Sequence, residues 1–203
     1  MPGLELADAR RALERPPDAL HVGTLGLAME PIADSLAAVV AEVPEQTFVM
    51  VDPNCRPTAT PDFERYQARM RRIIGRADVV KGSDEDFAYL ALAETPEATA
   101  RLLLEQGVGA VLVTQGSDVA RGFCAGGEVS VPVPSVQVVD TVGAGDTFGG
   151  AFLAYWREHG FGRTELADHD LLEEAVTFAV QAAAITCTRA GAEPPDRAEM
   201  GLD

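Results

Sequence analysis

The stretch Asp140-Thr141-Val142-Gly143-Ala144-Gly145-Asp146 is the part of this chain best equipped for chemistry. Its centre carries only small residues, and an apolar helical pattern follows, with Phe148, Phe152, Tyr155 and Trp156 at i, i+4, i+7 and i+8. A turn without bulky side chains at the start of a helix leaves backbone N–H groups pointing outward. Those unpaired donors, together with the positive end of the helix dipole, form an anion site. Asp146 falls in the first helical turn, beside the anion. Donors for a phosphoryl group in transfer, next to a base that deprotonates a hydroxyl, are the minimum needed to phosphorylate a small molecule. The same residues also fit a plain tight connection in which Asp146 is a favourable first-turn acid. A dinucleotide fingerprint is excluded. Gly143, Gly145 and Gly149 fit a loose G-x-G-x-x-x-G, but Glu165, at the spacing of a ribose ligand, lies in a polar connection, and a helix follows instead of a strand.

Apolar runs alternate with helical patterns through most of the sequence, as they must if a scaffold is to hold that turn. Ala19 to Gly23 reads as a short strand. A helix opened by Pro31 follows, with Ile32, Leu36, Val39, Val40 and Val43 on one face. Phe48 to Val51 is a continuous apolar run, as in a parallel strand covered on both faces. Thr60-Pro61 supplies an N-cap and a first-turn proline for a helix marked by Phe63, Tyr66, Met70, Ile73 and Ile74. Ala77 to Val80 is a second buried strand. Thr95-Pro96 repeats the capping device, and Ala110 to Thr114 is a further strand. Val119 to Cys124 and Glu128 to Val133, joined at Ala125-Gly126-Gly127, form an antiparallel hairpin. The last long helix carries Val176, Ala179, Val180, Ala183, Ala184 and Cys187 and stops near Gly191. The fold class is therefore α/β: a doubly wound, mostly parallel sheet flanked by helices, with a hairpin toward the C-terminal part. One domain over residues 1–203 is expected.

Ligands in such sheets bind beyond the carboxyl ends of the strands. That rule selects Asp52, Asn54 and Arg56 after one strand, and Lys81, Ser83 and Asp84 after the next. Thr114, Gln115 and Gly116 follow the third. Lys81 beside Asp84 and Glu85 reads equally as an exposed ion pair or a nucleotide contact. Cys55 reads as a small buried filler.

With 32 acidic against 16 basic residues, the formal charge of −16 argues against nucleic acid and anionic membranes as partners. No apolar run reaches the ~18 residues of a membrane span, and Met1-Pro2-Gly3-Leu4-Glu5 lacks the pattern of a signal peptide. Three scattered cysteines point to reduced thiols, and a cytoplasmic location is expected. His21, His159 and His169 show no metal-ligand spacing. A P-loop is excluded, because Lys81 is the only lysine and Gly82 follows it.

Asp140 through Phe152 resembles the C-terminal signature of the ribokinase-like (PfkB) carbohydrate kinase family. Val51-Asp52-Pro53-Asn54-Cys55-Arg56-Pro57 is similar to the Asp-x-Asn-x-Arg element of its fructokinase and 2-keto-3-deoxygluconate kinase branch. Lys81-Gly82-Ser83-Asp84-Glu85-Asp86 is similar to that branch's Lys-x-Ser-Asp-Glu-Glu. Val113-Thr114-Gln115-Gly116 is similar to its Val-Thr-x-Gly nucleotide strand. The likeness runs from about Leu20 to Pro194. It implies ATP-dependent phosphorylation of a sugar or sugar-acid hydroxyl, with Asp146 as the base and the Gly143, Ala144 and Gly145 amides as the anion hole. Asn54 and Arg56 would meet the substrate. Ser83, Thr114, Gln115, Gly116, Ser117 and Asp118 would line the nucleotide site, with Ala182 and Ala183 near the adenine. Magnesium is implied, with Asp86 acting through water, as is a monovalent cation near Asp140 and Val142.

Three departures stand out. Asp86 replaces the family's usual glutamate, and Val119 stands where a second glycine commonly sits. The family's N-terminal portion, which supplies most of the sugar pocket and a lid that often forms a homodimer contact, has no counterpart here. The alternative expectation is thus a catalytically incompetent nucleotide-binding fragment, or a chain whose true start lies upstream.

Overall fold

The computed structural model describes residues 4–202; Met1, Pro2 and Gly3 of the N-terminal segment lie outside the described residues. The chain divides into two units, one ending at Val113 and the other beginning at Thr114.

In the first unit, β1 (Ala19–Gly23) runs parallel to β2 (Phe48–Asp52), with Ala19 opposite Phe48 and Gly23 opposite Asp52. β2 is parallel to β3 (Val79–Ser83) through Met50–Val79 and Val51–Val80. Every residue of β2 is buried, which is why its sequence reads as unbroken apolar residues up to Asp52. Five helices belong here: α1 (Leu6–Ala12), α2 (Ile32–Glu42), α3 (Phe63–Ile74), α4 (Asp84–Leu90) and α5 (Pro96–Glu105). α2 buries Ala33, Ala37, Val39 and Val40, and α3 buries Tyr66, Met70, Ile73 and Ile74. The Asp78 carboxylate accepts the Val49 N–H at 2.6 Å, tying the approach to β3 onto β2. β4 (Ala110–Gln115) runs across the division.

In the second unit, β5 (Val119–Cys124) and β6 (Gly127–Pro132) form the antiparallel hairpin, Val119 opposite Pro132. α6 (Ala144–Glu158) packs along α7 (His169–Cys187), and α7 also packs on β5 and β6. Phe152 and Trp156 are fully buried with rings stacked 5.5 Å apart, and the indole N–H donates to the Gly162 carbonyl at 3.0 Å. A buried indole needs such an acceptor. The strand order is β1-β2-β3-β4-β5-β6. The fold is thus the expected α/β one, a mostly parallel sheet with a C-terminal hairpin and seven α-helices among the described residues. No helix among them is long and apolar enough to cross a membrane.

The local differences from expectation have local causes. α3 begins at Phe63, not after Thr60, because the Asp62 carboxylate caps it by accepting the Arg65 N–H at 2.9 Å. Thr60 instead donates its hydroxyl to the Arg56 carbonyl at 3.0 Å. The Thr95 cap is present, with its hydroxyl accepting the Ala98 N–H at 3.1 Å. β3 starts two residues later than the apolar run, at Val79, because Ala77 N–H turns back to the Ile74 carbonyl. α1 and α4 are helices that no apolar stripe in the sequence announces. Each has seven residues, too few for a readable apolar stripe.

Candidate active site

The Gly143–Asp146 turn stands at the start of α6. Gly143 is the N-cap with φ of +80°, a left-handed conformation that favours glycine. A Cβ there would lie 2.5 Å from the Cβ of Ala192, so the position excludes larger residues for a second, steric reason. The Ala144 N–H turns back to the Thr141 carbonyl at 3.2 Å, and the first helical bond runs from Thr147 N–H to the Gly143 carbonyl at 2.8 Å. The amides of Gly145 and Asp146 lie between these two and have no acceptor inside the helix. They are the donors that the turn offers to an anion.

Asp140 braces this arrangement. One carboxylate oxygen accepts the Val142 N–H at 3.0 Å and the other accepts the Gly191 N–H at 2.9 Å. Val139 and Asp140 in turn donate their amides to the Cys187 carbonyl at 2.8 and 3.3 Å, fastening the segment to the end of α7. The hydrogen bonds from Val142 and then Gly191 hold the Asp140 carboxyl below its ordinary value of 3.8. A folded-state pKa below the unfolded one contributes stability that is present above the unfolded value and lost as pH falls through the folded one. Asp140→Asn is therefore expected to lower the melting temperature at neutral pH, with the gap from the parent closing below about pH 4. Melting curves across that range check it; a gap that widens in acid would contradict the brace.

Two cavities flank the first turn of α6. The larger, ≈ 640 Å³, is lined by Ala144 and Gly145 of the turn, Thr114 near the end of β4, Gly116 and Ser117 of the loop after it, and Ala183 of α7. Its volume lies in the range of small-ligand sites. Gly116, at φ +58°, makes the tight turn that closes from Asp118 N–H to the Gln115 carbonyl at 3.1 Å. The smaller cavity, ≈ 440 Å³, is lined by Gly143, Asp146 and Thr147 with Ala182, Phe178 and the segment from Ala192 to Leu202. Asp146 is exposed there, and no hydrogen bond or ion pair from a described residue engages its carboxylate.

The structure thus gathers Thr114, Gly116, Ser117, Ala144, Gly145 and Ala183 around one cavity. Gly143, Asp146 and Ala182 lie on the other, and Gln115 and Asp118 line neither. Residues that sequence reasoning missed complete the larger cavity, chiefly Val180, Ala184 and Cys187 on α7, Val136 and Val138 before α6, and Val119 and Ala120 on β5. The signal was present: positions 180, 183, 184 and 187 follow the i, i+3, i+4, i+7 rule and form one stripe. Val119, the residue at the glycine position of the resemblance, opens β5 and presents itself to this cavity.

A second polar cluster sits in the first unit, at the carboxyl ends of β2 and β3. An exposed pairing of Lys81 with Asp84 and Glu85, one of the two readings open in the sequence, is overturned. Lys81 is buried and its ammonium meets the Asp52 carboxylate at 2.7 Å, with side chains 6% and 2% exposed. Extension of β3 through Ser83 carries Lys81 into the sheet rather than onto a loop. Burial pushes the Asp52 carboxyl above its ordinary range, against the pull of Lys81. The other Asp52 oxygen accepts the Asn54 N–H at 3.1 Å.

Asp86 holds the next residue. Its carboxylate accepts the Cys55 N–H at 2.6 Å, the Ser83 N–H at 2.9 Å and the Ser83 hydroxyl at 2.8 Å, while the Ser83 hydroxyl accepts the Asp86 N–H at 3.1 Å. This capping box starts α4, and its Ser-x-x-Asp spacing was legible in the sequence. Three bonds leave Asp86 one free lone-pair position, enough for one water. The carboxylate of Asp140 accepts one amide on each oxygen and so keeps acceptor capacity as well.

Asn54 adopts φ of +40°, and the exposed Arg56 donates from Nη1 to the Asn54 and Cys55 carbonyls at 3.3 and 2.8 Å. Cys55 is the buried filler expected. Its thiol lies 3.3 Å from the Tyr66 hydroxyl, and burial pushes it up to about 12, so it is inert. Among the described residues the one close trio of potential metal ligands is His169, Asp170 and Glu173 on α7, with His169 half-buried and both acids exposed. His169, without metal-ligand spacing in the sequence, thus stands beside two carboxylates, and its hydrogen bond with Asp170 raises its pKa.

The sequence matches the pfkB family carbohydrate kinase over residues 5–198. It is 36% identical to a fructokinase of Rhizobium leguminosarum bv. trifolii over 68% of this chain and 42% of that one. It is 32% identical to fructokinase-1 of Oryza sativa subsp. japonica, over 86% and 54%. Among solved structures, the fructokinase of Vibrio cholerae O395 with fructose, ADP and calcium ion bound superposes with a TM-score of 0.78 at 28% identity, covering 94% of this chain and 60% of that one. Aminoimidazole riboside kinase of Salmonella enterica, complexed with aminoimidazole riboside and an ATP analog, gives 0.75 at 27%, covering 86% and 57%. The chain spans about half the length of the curated relatives it matches.

Proposed function

The chain belongs to the pfkB family of carbohydrate kinases, and from that premise we propose that it transfers the γ-phosphoryl group of ATP to a hydroxyl of a ketose or sugar acid. One observation carries the reading. The first turn of α6 faces two cavities, with the Ala144 and Gly145 side on the larger and the Asp146 carboxylate on the smaller. A phosphoryl donor and an acceptor hydroxyl need such an arrangement, with anion-stabilising amides toward one and a base toward the other.

In the reaction so read, the nucleotide occupies the larger cavity and its terminal phosphate meets the amides of Gly145 and Asp146. Asp146 removes the proton as the acceptor oxygen bonds to phosphorus and the bond to ADP breaks. Preorganised amides of this kind are worth about 3 kcal/mol each to the transition state. Asn54 and Arg56 are the substrate contacts: Arg56 is exposed, and a planar guanidinium suits a carboxylate or phosphate. Magnesium, when bound with the nucleotide, would neutralise charge on the phosphates. Asp86 would meet it only through a water, for which one lone pair remains.

The test is a coupled ADP-release assay on this chain with Mg-ATP and fructose, ribose or 2-keto-3-deoxygluconate, run beside thermal melting with Mg-ATP. Turnover with one of the sugars is expected, and nucleotide at 100 times its Kd should add about 2.7 kcal/mol of stability. A nucleotide-dependent melting shift without turnover would make the chain a nucleotide-binding module. Absence of both would remove the reading.

A further inference from the structure

The walls of the larger cavity differ from those of a site that reads a base by its edge. No lining residue carries an amide, carboxylate or charged side chain. The surfaces are apolar: Val180, Ala183, Ala184 and Cys187 from α7, Phe148 from α6, and Val136 and Val138 from the segment before α6. The polar side chains are the hydroxyls of Thr114, Ser117, Ser135 and Thr141. A hydroxyl rotates to donate or to accept, so it meets a 6-amino group and a 6-oxo group equally well.

Part of the backbone around the cavity is spent elsewhere. The α7 stripe presents side chains from inside a helix whose main-chain groups are paired. Val133 N–H goes to the Asp118 carbonyl and Val139 N–H to the Cys187 carbonyl, at 3.1 and 2.8 Å, and Pro134 has no N–H.

Resting on the reading of this cavity as the nucleotide site, we infer that it takes its base by shape and apolar contact, so that the phosphate donor is a purine nucleoside triphosphate with little preference among adenine, guanine and hypoxanthine. Affinity comes from the triphosphate on the α6 turn and from the face of the ring. Discrimination among similar ligands reaches about 10⁴–10⁵ where a buried polar group would be left unpaired, and only about 10² where walls are apolar.

The experiment measures dissociation constants of ATP, GTP, ITP and CTP, each with magnesium, by calorimetric titration of the full chain. The three purine nucleotides are expected to agree within about tenfold, with CTP weaker because its smaller ring buries less apolar area. ATP binding with GTP and ITP weaker by more than that would overturn the inference alone, and would point to the main chain of Ser135 and Val136 as a base reader. Failure of all four to bind would remove the nucleotide site itself. Ser117→Ala and Ser135→Ala are expected to leave the ATP-to-GTP ratio unchanged; a tenfold change in either would likewise overturn the inference by making that hydroxyl the reader.

Discussion

Replacing Asp146 by asparagine is expected to reduce sugar-dependent ADP release by about 10²–10⁴-fold, the usual contribution of a positioned base. Nucleotide affinity should survive, because asparagine keeps the backbone amide that the turn offers and removes only the proton acceptor. The fold should survive as well. Asp146 is exposed and its carboxylate is engaged by no described residue, so its loss costs the folded state within about 0.5 kcal/mol. Activity, nucleotide titration and melting temperature measured on the same variant therefore separate three roles. Turnover at the parent's rate would take the base away from Asp146. A parallel collapse of the melting temperature would make it a structural acid, the plain reading that the sequence leaves open.

The second large effect lies in the first unit and concerns stability. Lys81→Met should cost about 3–5 kcal/mol, because it leaves the Asp52 carboxylate buried without its counter-charge. Against a total stability of about 5–15 kcal/mol, that is a large fraction. The damage should reach the site too, since Asp52 also holds the Asn54 N–H and so shapes the turn that presents Arg56. The double variant Lys81→Met, Asp52→Asn removes both charges and should recover part of the loss, because the penalty is the lone charge more than the missing pair. Urea unfolding of the parent, both single variants and the double variant gives the coupling. A Lys81→Met cost below about 1 kcal/mol would be that of an exposed pair and would contradict the buried geometry.

The sequence carried the parts of the site that are built within one segment. Small residues at 143–145 ahead of an apolar helical stripe announce an exposed helix start, and Gly143 at φ +80° is what that start requires. The capping box at Ser83 and Asp86 is a four-residue pattern and needs nothing from elsewhere. Strand identity was equally local. An unbroken apolar run such as Phe48 to Val51 fits only a place covered on both faces, and β2 has it. The family resemblance drew on these same segments and their order.

Other features belong to pairs of segments. Lys81 and Asp52 are 29 positions apart, and Asp86 reaches the Cys55 amide across 31. Both contacts exist because β2 and β3 lie side by side, which no window of sequence records. Asp86 shows the consequence. The family resemblance implied a link to a metal's water shell, while in the folded chain most of its oxygen capacity goes to Cys55 and Ser83.

Ala182 and Ala183 mark the same boundary. Adjacent on α7 and alike in side chain, they face different cavities, because neighbours on a helix differ by about 100° of rotation. The sequence by itself determined the helix, the turn and the acid beside it, all of which follow from steric and capping rules within a few residues. Tertiary packing alone decided what each face of those elements meets, because that depends on which distant segment the hydrophobic effect brings against it.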